Sequence, residues 1–213
     1  MDNTESKTVL TKSKRELVKK DKAIQKVQEG MQMMLEGLKD EFGLDITDHN
    51  FKDTPARVAR SFAEIFSGII PIEEIQKQIL ATSFKSDYTG IVLIDNIRCY
   101  SMCPHHFLPV EYIVDVAYIG EQKVGLSKLP RVIELLAKRP VLQESFTQDI
   151  ITVLKAINPT GSFVRVKGKH YCMAMRGVKQ GGCWTYTSSV SGKFADQPST
   201  KDEAISMMDN SRT

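Results

Sequence analysis

The sequence predicts an α+β fold in which helices pack on one face of an antiparallel sheet, preceded by a helical N-terminal extension. Three observations carry this. From Ile91 onward the residue patterns run strand, strand, helix, helix, strand, strand. The strand stretches are short and rich in β-branched residues, whereas the helical stretches repeat apolar side chains every three or four positions. The 213 residues, 41% hydrophobic and 26% charged, have the composition of one ordinary globular core.

In chain order, Met1 to about Lys14 lack apolar periodicity, and residues 1–19 are expected to form a loose arm. Lys7 to Lys26 hold eight basic residues against Glu16 and Asp21, which reads as a solvated helix start in preference to a nucleic-acid arm. Residues 20–80 read as an N-terminal helical region. Ile24, Val27, Met31, Met34, Leu35, Leu38 and Phe42 follow helical spacing up to Gly43, a suitable C-cap, and the methionines read as core filler. Thr54 is the expected N-cap of a second helix, with Pro55 at its first position, Val58, Phe62, Ile65 and Phe66 as its buried stripe, and Gly68 after its end. Arg57 and Arg60 lie off that stripe and face solvent, a partner subunit or an anionic ligand.

Residues 81–194 read as the main domain. Ile91 to Arg98 and Tyr112 to Ile119 are the first two strands, flanking a Cys-His turn. Leu129, Val132, Ile133 and Leu136 mark one helix; Phe146, Ile150, Val153, Leu154 and Ile157 mark the next, which Asn158-Pro159 stops. Ser162 to Lys169 and Cys183 to Val190 return to strand character. Residues 195–213 are polar and expected to form a short helix or tail.

A net charge of +3 is too small to argue for nucleic acid, and no apolar run is long enough for a membrane span. Asp2, Glu5 and Lys7 stand where a secretory signal would be apolar, so the expected location is the cytoplasm, with reduced thiols.

The densest chemistry lies in two short stretches, Cys103-Pro104-His105-His106 and His170-Tyr171-Cys172. A Cys-x-x-His step lets a tight turn aim a thiolate and an imidazole at one ion, and Pro104 favours such a bend by fixing its own φ. His170 and Cys172, two apart, share a face if that stretch is extended. Cys103, His106 and Cys172 would offer two sulfurs and a nitrogen, a donor set suited to Zn2+, with a fourth tetrahedral position left for water. Cys99, about 13 Å away along an extended strand at about 3.3 Å per residue, is too far to join them. The alternatives are a closed zinc knot or buried thiols beside satisfied histidines.

Between these stretches, Gly125-Leu126-Ser127-Lys128-Leu129-Pro130-Arg131 runs a strand end into a helix N-terminus beside two cations, which suits either a phosphate or a solvated cap. Gln143-Glu144 opens the next helix; a carboxylate beside an amide can pair with the N1–H and 2-amino edge of guanine.

Cys-x-His-His-x-Leu-Pro at 103–109, Gly-Leu-Ser-Lys-Leu at 125–129, Gln-Glu at 143–144, His-x-Cys-Met-x-Met-Arg-Gly-Val at 170–178 and Asp53-Thr-Pro-x-Arg57-Val-Ala together resemble the GTP cyclohydrolase I family in order and interval, over roughly residues 20–194. The resemblance implies a tunnelling fold, a toroidal homodecamer with sites between subunits, and conversion of GTP and water to 7,8-dihydroneopterin triphosphate and formate, a step in pterin and tetrahydrofolate biosynthesis. It implies zinc on Cys103, His106 and Cys172, and proton transfer by His105 and His170. It further implies guanine recognition by Gln143 and Glu144, ribose and phosphate contacts from Ser127, and triphosphate contacts from Lys128, Arg131, Arg176, Arg57 and Arg60.

The sequence departs from the family pattern twice. Pro104 stands where Glu is common, removing a carboxylate near the metal and stiffening the turn, and Ser145 stands where Arg is usual. Two rivals are a non-catalytic tunnelling-fold protein that binds a purine or pterin, and a nitrile reductase of the same fold, which needs a nucleophilic thiol that only Cys99 or Cys183 could supply.

Overall fold

The computed structural model describes residues 4–210, with side chains from residue 22 onward. The chain divides into two compact units, residues 1–65 and 66–213. The loose arm expected over residues 1–19 lies outside the residues whose side chains are described.

In the first unit, helix α1 spans Thr4–Phe42. Gly43 terminates it with φ +68°, a conformation that costs a residue without a Cβ little, and its N–H donates to Lys39 O at 3.0 Å. Of the expected stripe, Leu35 is buried and Ile24, Val27, Met31 and Leu38 are half-buried, whereas Met34 and Phe42 are exposed. The covered residues step by three and four around one line; Met34 falls to the side of it, whereas Phe42 continues the line and is exposed at the last residue of the helix. Helix α2 spans Thr54–Ile65. Thr54 is not its capping acceptor: the hydroxyl donates back to Asn50 O at 3.4 Å and the first helical turn closes from Arg57 N–H to Asp53 O. Pro55 and Ala59 are the buried residues of α2; Val58, Phe62 and Ile65 are half-buried.

The second unit holds a four-stranded antiparallel sheet in the order β2-β3-β5-β6, formed by β2 (Val92–Met102), β3 (Pro109–Ile119), β5 (Gly161–His170) and β6 (Thr185–Gly192). A smaller sheet pairs β1 (Ser83–Lys85) with β4 (Gln122–Val124). Helix α3 (Ile72–Leu80) precedes them; α4 (Lys128–Ala137) and α5 (Gln143–Leu154) connect β4 to β5. A short 3-10 turn, Lys155–Ile157, ends where Asn158 takes φ +46° ahead of Pro159.

Strand β3 is the spine. Its even-numbered residues from Val110 to Tyr118 are fully buried, joined by Ile97 and Cys99 of β2 and Val164 and Val166 of β5, and they pack against Ile75, Ile79, Leu129, Ile133, Phe146 and Ile150 from α3, α4 and α5. Each such large apolar side chain contributes about 1.5–3 kcal/mol on burial, so this layer is the main stabilising element. The register of β2 on β3 shifts between Ile94 and Ile97, where Asn96 takes φ +55° and its N–H donates to buried Asp115. That bulge resets the alternation and lets β2 run on to Met102, where the site begins.

The expectation of helices on one face only is corrected. Odd-numbered residues of the sheet, Ala117, Ile119 and Phe163, pack against Phe194 of α7 (Lys193–Asp196) and Ala204 and Met208 of α8 (Pro198–Asn210), so the C-terminal helix covers part of the opposite face. A polar helix with two buried positions gave little apolar periodicity to read. Helix α3 falls within the expected helical stretch of residues 20–80, whereas the three-residue strands show no period that a sequence could reveal. Among the described residues, no helix is long and apolar enough to cross a membrane.

Candidate metal centre and active site

The hairpin of β2 and β3 closes through Cys103–Leu108. Cys103 N–H donates to Leu108 O and Phe107 N–H to Cys103 O, each at 2.9 Å, and Phe107 takes φ +54° to complete the turn. A non-glycine residue held at positive φ is strained by about 1–3 kcal/mol, which the two bonds and the packing of the Phe107 ring on Phe66 at 5.4 Å offset. The turn keeps Cys103 buried and holds His105 and His106 exposed at its tip.

The second stretch reaches the same place by a different device from the one expected. Strand β5 ends at His170, paired with Val110 at the same end of β3, and Tyr171–Ala174 form one helical turn, α6. His170 and Cys172 therefore do not share a strand face; the turn swings Cys172 toward the hairpin. Its Sγ lies 3.8 Å from Cys103 Sγ. The ligand atoms of Cys103, His106 and Cys172 all lie within 4.8 Å of one another, a group able to hold a metal ion. His105 is not in it, although its Nδ1 is 3.9 Å from Cys103 Sγ, and neither is His170.

Burial raises the Cys172 pKa above its ordinary value, and the neighbouring Cys103 thiol raises it further. Two sulfurs this close disfavour joint ionisation, which a bound cation reverses. Burial lowers the pKa of His170, and the Glu144 carboxylate partly opposes that. Glu144 itself is exposed.

The Gln143 side chain is turned into the protein. It is 2% exposed and engaged at both ends within the chain: the two protons of Nε2 are shared among Val166 O (3.2 Å), Thr185 O (3.0 Å) and Thr187 Oγ1 (3.2 Å), and Oε1 stands 2.9 Å from His170 Nε2. Thr147 and Thr187, which complete this network with their hydroxyls 2.6 Å apart, were not anticipated. A threonine four residues after Gln143 on a helix was the one available signal.

Ser127, Lys128 and Arg131 are not gathered with the cysteines. Val124 N–H donates to the Tyr118 hydroxyl, which fixes the start of α4 at the far end of β3. Tyr118 is eight residues along the strand from Val110, a span of roughly 26 Å at about 3.3 Å per residue. At that end Ser127 occupies the N-cap position of α4 without a side-chain capping bond; Ser127 and Arg131 are exposed. Arg176 is exposed after α6, and Arg57 and Arg60 are exposed on α2 of the first unit.

The family model described as GTP cyclohydrolase I matches residues 27–209. The GTP cyclohydrolase 1 of Bacillus pumilus is 41% identical over 171 residues, covering 79% of this chain and 89% of that protein. The GTP cyclohydrolase 1 of Carboxydothermus hydrogenoformans is 42% identical over 174 residues (79% and 88%), and that of Pelotomaculum thermopropionicum 44% over 160 residues (74% and 84%). The apo crystal structure of archaeosine synthase QueF-Like, 21% identical, overlays half of this chain and 97% of that chain at a TM-score of 0.40, too low to carry an argument. With a family match across most of its length and several relatives above 40% identity, the chain belongs to the GTP cyclohydrolase I family.

Proposed function

We propose that this chain hydrolytically opens the guanine imidazole ring of GTP at C8, releasing formate and giving 7,8-dihydroneopterin triphosphate. The observation that carries the reading is the convergence of Cys103, His106 and Cys172 from two stretches of chain, with His105 and His170 beside them but outside the ligand group.

The proposed metal is zinc. Two thiolates bound at about 2.3 Å with a tetrahedral angle lie about 3.8 Å apart, and the sulfurs of Cys103 and Cys172 are separated by 3.8 Å. When bound, zinc supplies a water nucleophile ionised near neutral pH.

The chain's residues divide the remaining work. Opening the ring leaves a nitrogen that must be protonated, and release of formate needs a further proton movement; His105 and His170 serve both, since imidazole exchanges protons near neutral pH. The Glu144 carboxylate accepts from N1–H and the 2-amino group of guanine. Ser127, Lys128, Arg131 and Arg176 hold the ribose and triphosphate side, with Arg57 and Arg60. Because the start of α4 is tied through Val124 to Tyr118, at the end of β3 away from Val110 and the cysteines, with roughly 26 Å of strand between Val110 and Tyr118, we read the two sets as coming from different subunits. That placement supports sites shared between neighbouring subunits; we take the assembly to be the toroidal homodecamer of the tunnelling fold, acting in the cytoplasm in pterin and tetrahydrofolate biosynthesis.

A purine- or pterin-binding role without chemistry has less support, since it gives His105 and His170 no task. Incubation with GTP, followed by assay for formate and for a fluorescent pterin after oxidation, decides between them. Formation of both is expected; binding of GTP without either product would leave only the binding role.

A further inference from the structure

The Gln143 side chain lies between helix α5 and strands β5 and β6, and its contacts fix its orientation. Val166 O and Thr185 O are backbone carbonyls, able only to accept, so the amide nitrogen must face them and Oε1 must face His170. The threonines agree. Thr147 Oγ1 donates its single proton to Gln143 O at 2.8 Å, so Thr187 donates to Thr147 across their 2.6 Å contact and accepts from Gln143 Nε2. Each donor in this chain therefore has one consistent direction, and its last member meets His170 Nε2 with an oxygen that can only accept.

We propose that Gln143 is a positioning residue that fixes His170 as the Nε2–H tautomer, leaving Nδ1 as the ring's only lone pair in the neutral state. Proton acceptance by His170 is then confined to Nδ1, and Gln143 contributes to the reaction without touching guanine. The inference rests on the reading of His170 as a proton-transfer group for its consequence, but the tautomer itself does not depend on it.

The strand opposite is shaped to admit the amide. A Cβ on Gly168 would stand 2.2 Å from Gln143 Oε1 and 3.0 Å from the Tyr112 ring. Only glycine at this register of β5 lets the Gln143 oxygen reach His170, whose ring is also steadied edge-on by Tyr112 at 6.3 Å between centroids. Gly168→Ala thus perturbs the contact without removing any polar group of the network.

The test is solid-state NMR on sedimented, metal-loaded enzyme carrying 13C,15N-histidine. The chain has four histidines, and subtraction of the His170→Asn spectrum assigns the signals. Wild type is expected to give one neutral His170 species, its proton on the nitrogen bonded to Cδ2 and shifted downfield by the bond to Gln143. Gln143→Met and Gly168→Ala are expected to lose that shift and to gain a population protonated at Nδ1. Both are expected to lower kcat by about 10- to 100-fold, the usual effect of removing a partner that orients a site histidine, with KM for GTP and metal content little changed. A wild-type His170 protonated at Nδ1, or a signal unaltered in both variants, overturns the proposal. So does a Gln143→Met enzyme that retains kcat but has a raised KM, the pattern of a guanine contact. If wild type shows the expected tautomer and His170→Ala is fully active, the positioning by Gln143 stands and the catalytic assignment of His170 fails.

Discussion

If each site is built from two subunits, two inactive variants should rescue each other. Cys172→Ala removes a proposed ligand near one end of β3, and the double variant Lys128→Ala/Arg131→Ala removes two cations of the first turn of α4, whose start is tied to Tyr118, roughly 26 Å along β3 from Val110. Arg131 is exposed and Lys128 half-buried, so the second variant should fold normally. A hydrogen bond to a charged group is worth about 1.5–3 kcal/mol. Loss of both then costs about 3–6 kcal/mol, or about 10²- to 10⁴-fold in kcat/KM. Cys172→Ala, without a complete ligand set, should be inactive. In oligomers co-assembled at equal proportion, a site is intact when its metal half comes from the double variant and its phosphate half from the cysteine variant, with a probability of about one half each. Co-expression should therefore restore about a quarter of the wild-type activity per site, as expected of a head-to-tail interface in a closed ring. Activity is read as GTP consumption, with the composition checked by mass spectrometry. No recovery in mixed oligomers of confirmed composition would refute the two-subunit site and require both sets of residues to act within one chain.

Other outcomes follow from the same geometry. His106→Ala should lose the metal and all turnover, whereas His170→Ala should keep the metal and lose about 10²- to 10⁴-fold in rate; metal analysis and GTP consumption on both variants check this, and reversed metal contents would mean that the ligand assignment is wrong. Glu144→Gln replaces an acceptor by a mixed amide and sets a donor against a donor, so kcat/KM for GTP should fall by at least 10-fold, and unchanged turnover would remove Glu144 from the guanine edge. Burial pushes the Cys99 thiol up to about 12, so it stays protonated throughout the working pH range. Iodoacetamide at pH 8 should modify exposed Cys183 and spare Cys99 until the protein unfolds. Fast labelling of Cys99 in the folded protein would revive the nucleophilic-thiol alternative.

Most of the main domain was legible because its periods are clean. Leu129, Val132, Ile133 and Leu136 predicted α4, and all four are buried in it. Asn158-Pro159 marked the end of α5 and its following turn, and the observed φ of +46° at Asn158 shows why the chain stops there. The convergence of Cys103, His106 and Cys172 was legible from residue type and spacing, but by another device: alternation on a strand predicts it, and a helical turn brings Cys172 in. Period alone cannot distinguish those two over three residues. The setting of the Gln143 side chain was out of reach for a similar reason. Sequence reports that an amide is present, but not that two carbonyls and a threonine in β5 and β6 will occupy it, because those partners are set by sheet register. The sequence of the α4 N-terminus gives no hint that its start is tied to Tyr118, at the end of β3 away from Val110.

The central claim is that this chain cuts GTP at C8. Incubation of the purified protein with GTP carrying 13C at C8, followed by NMR, tests it most directly. One labelled formate per GTP consumed is expected, with the signal abolished in Cys172→Ala. Consumption of GTP with the label still in a purine ring, or no consumption by metal-replete protein, would contradict it.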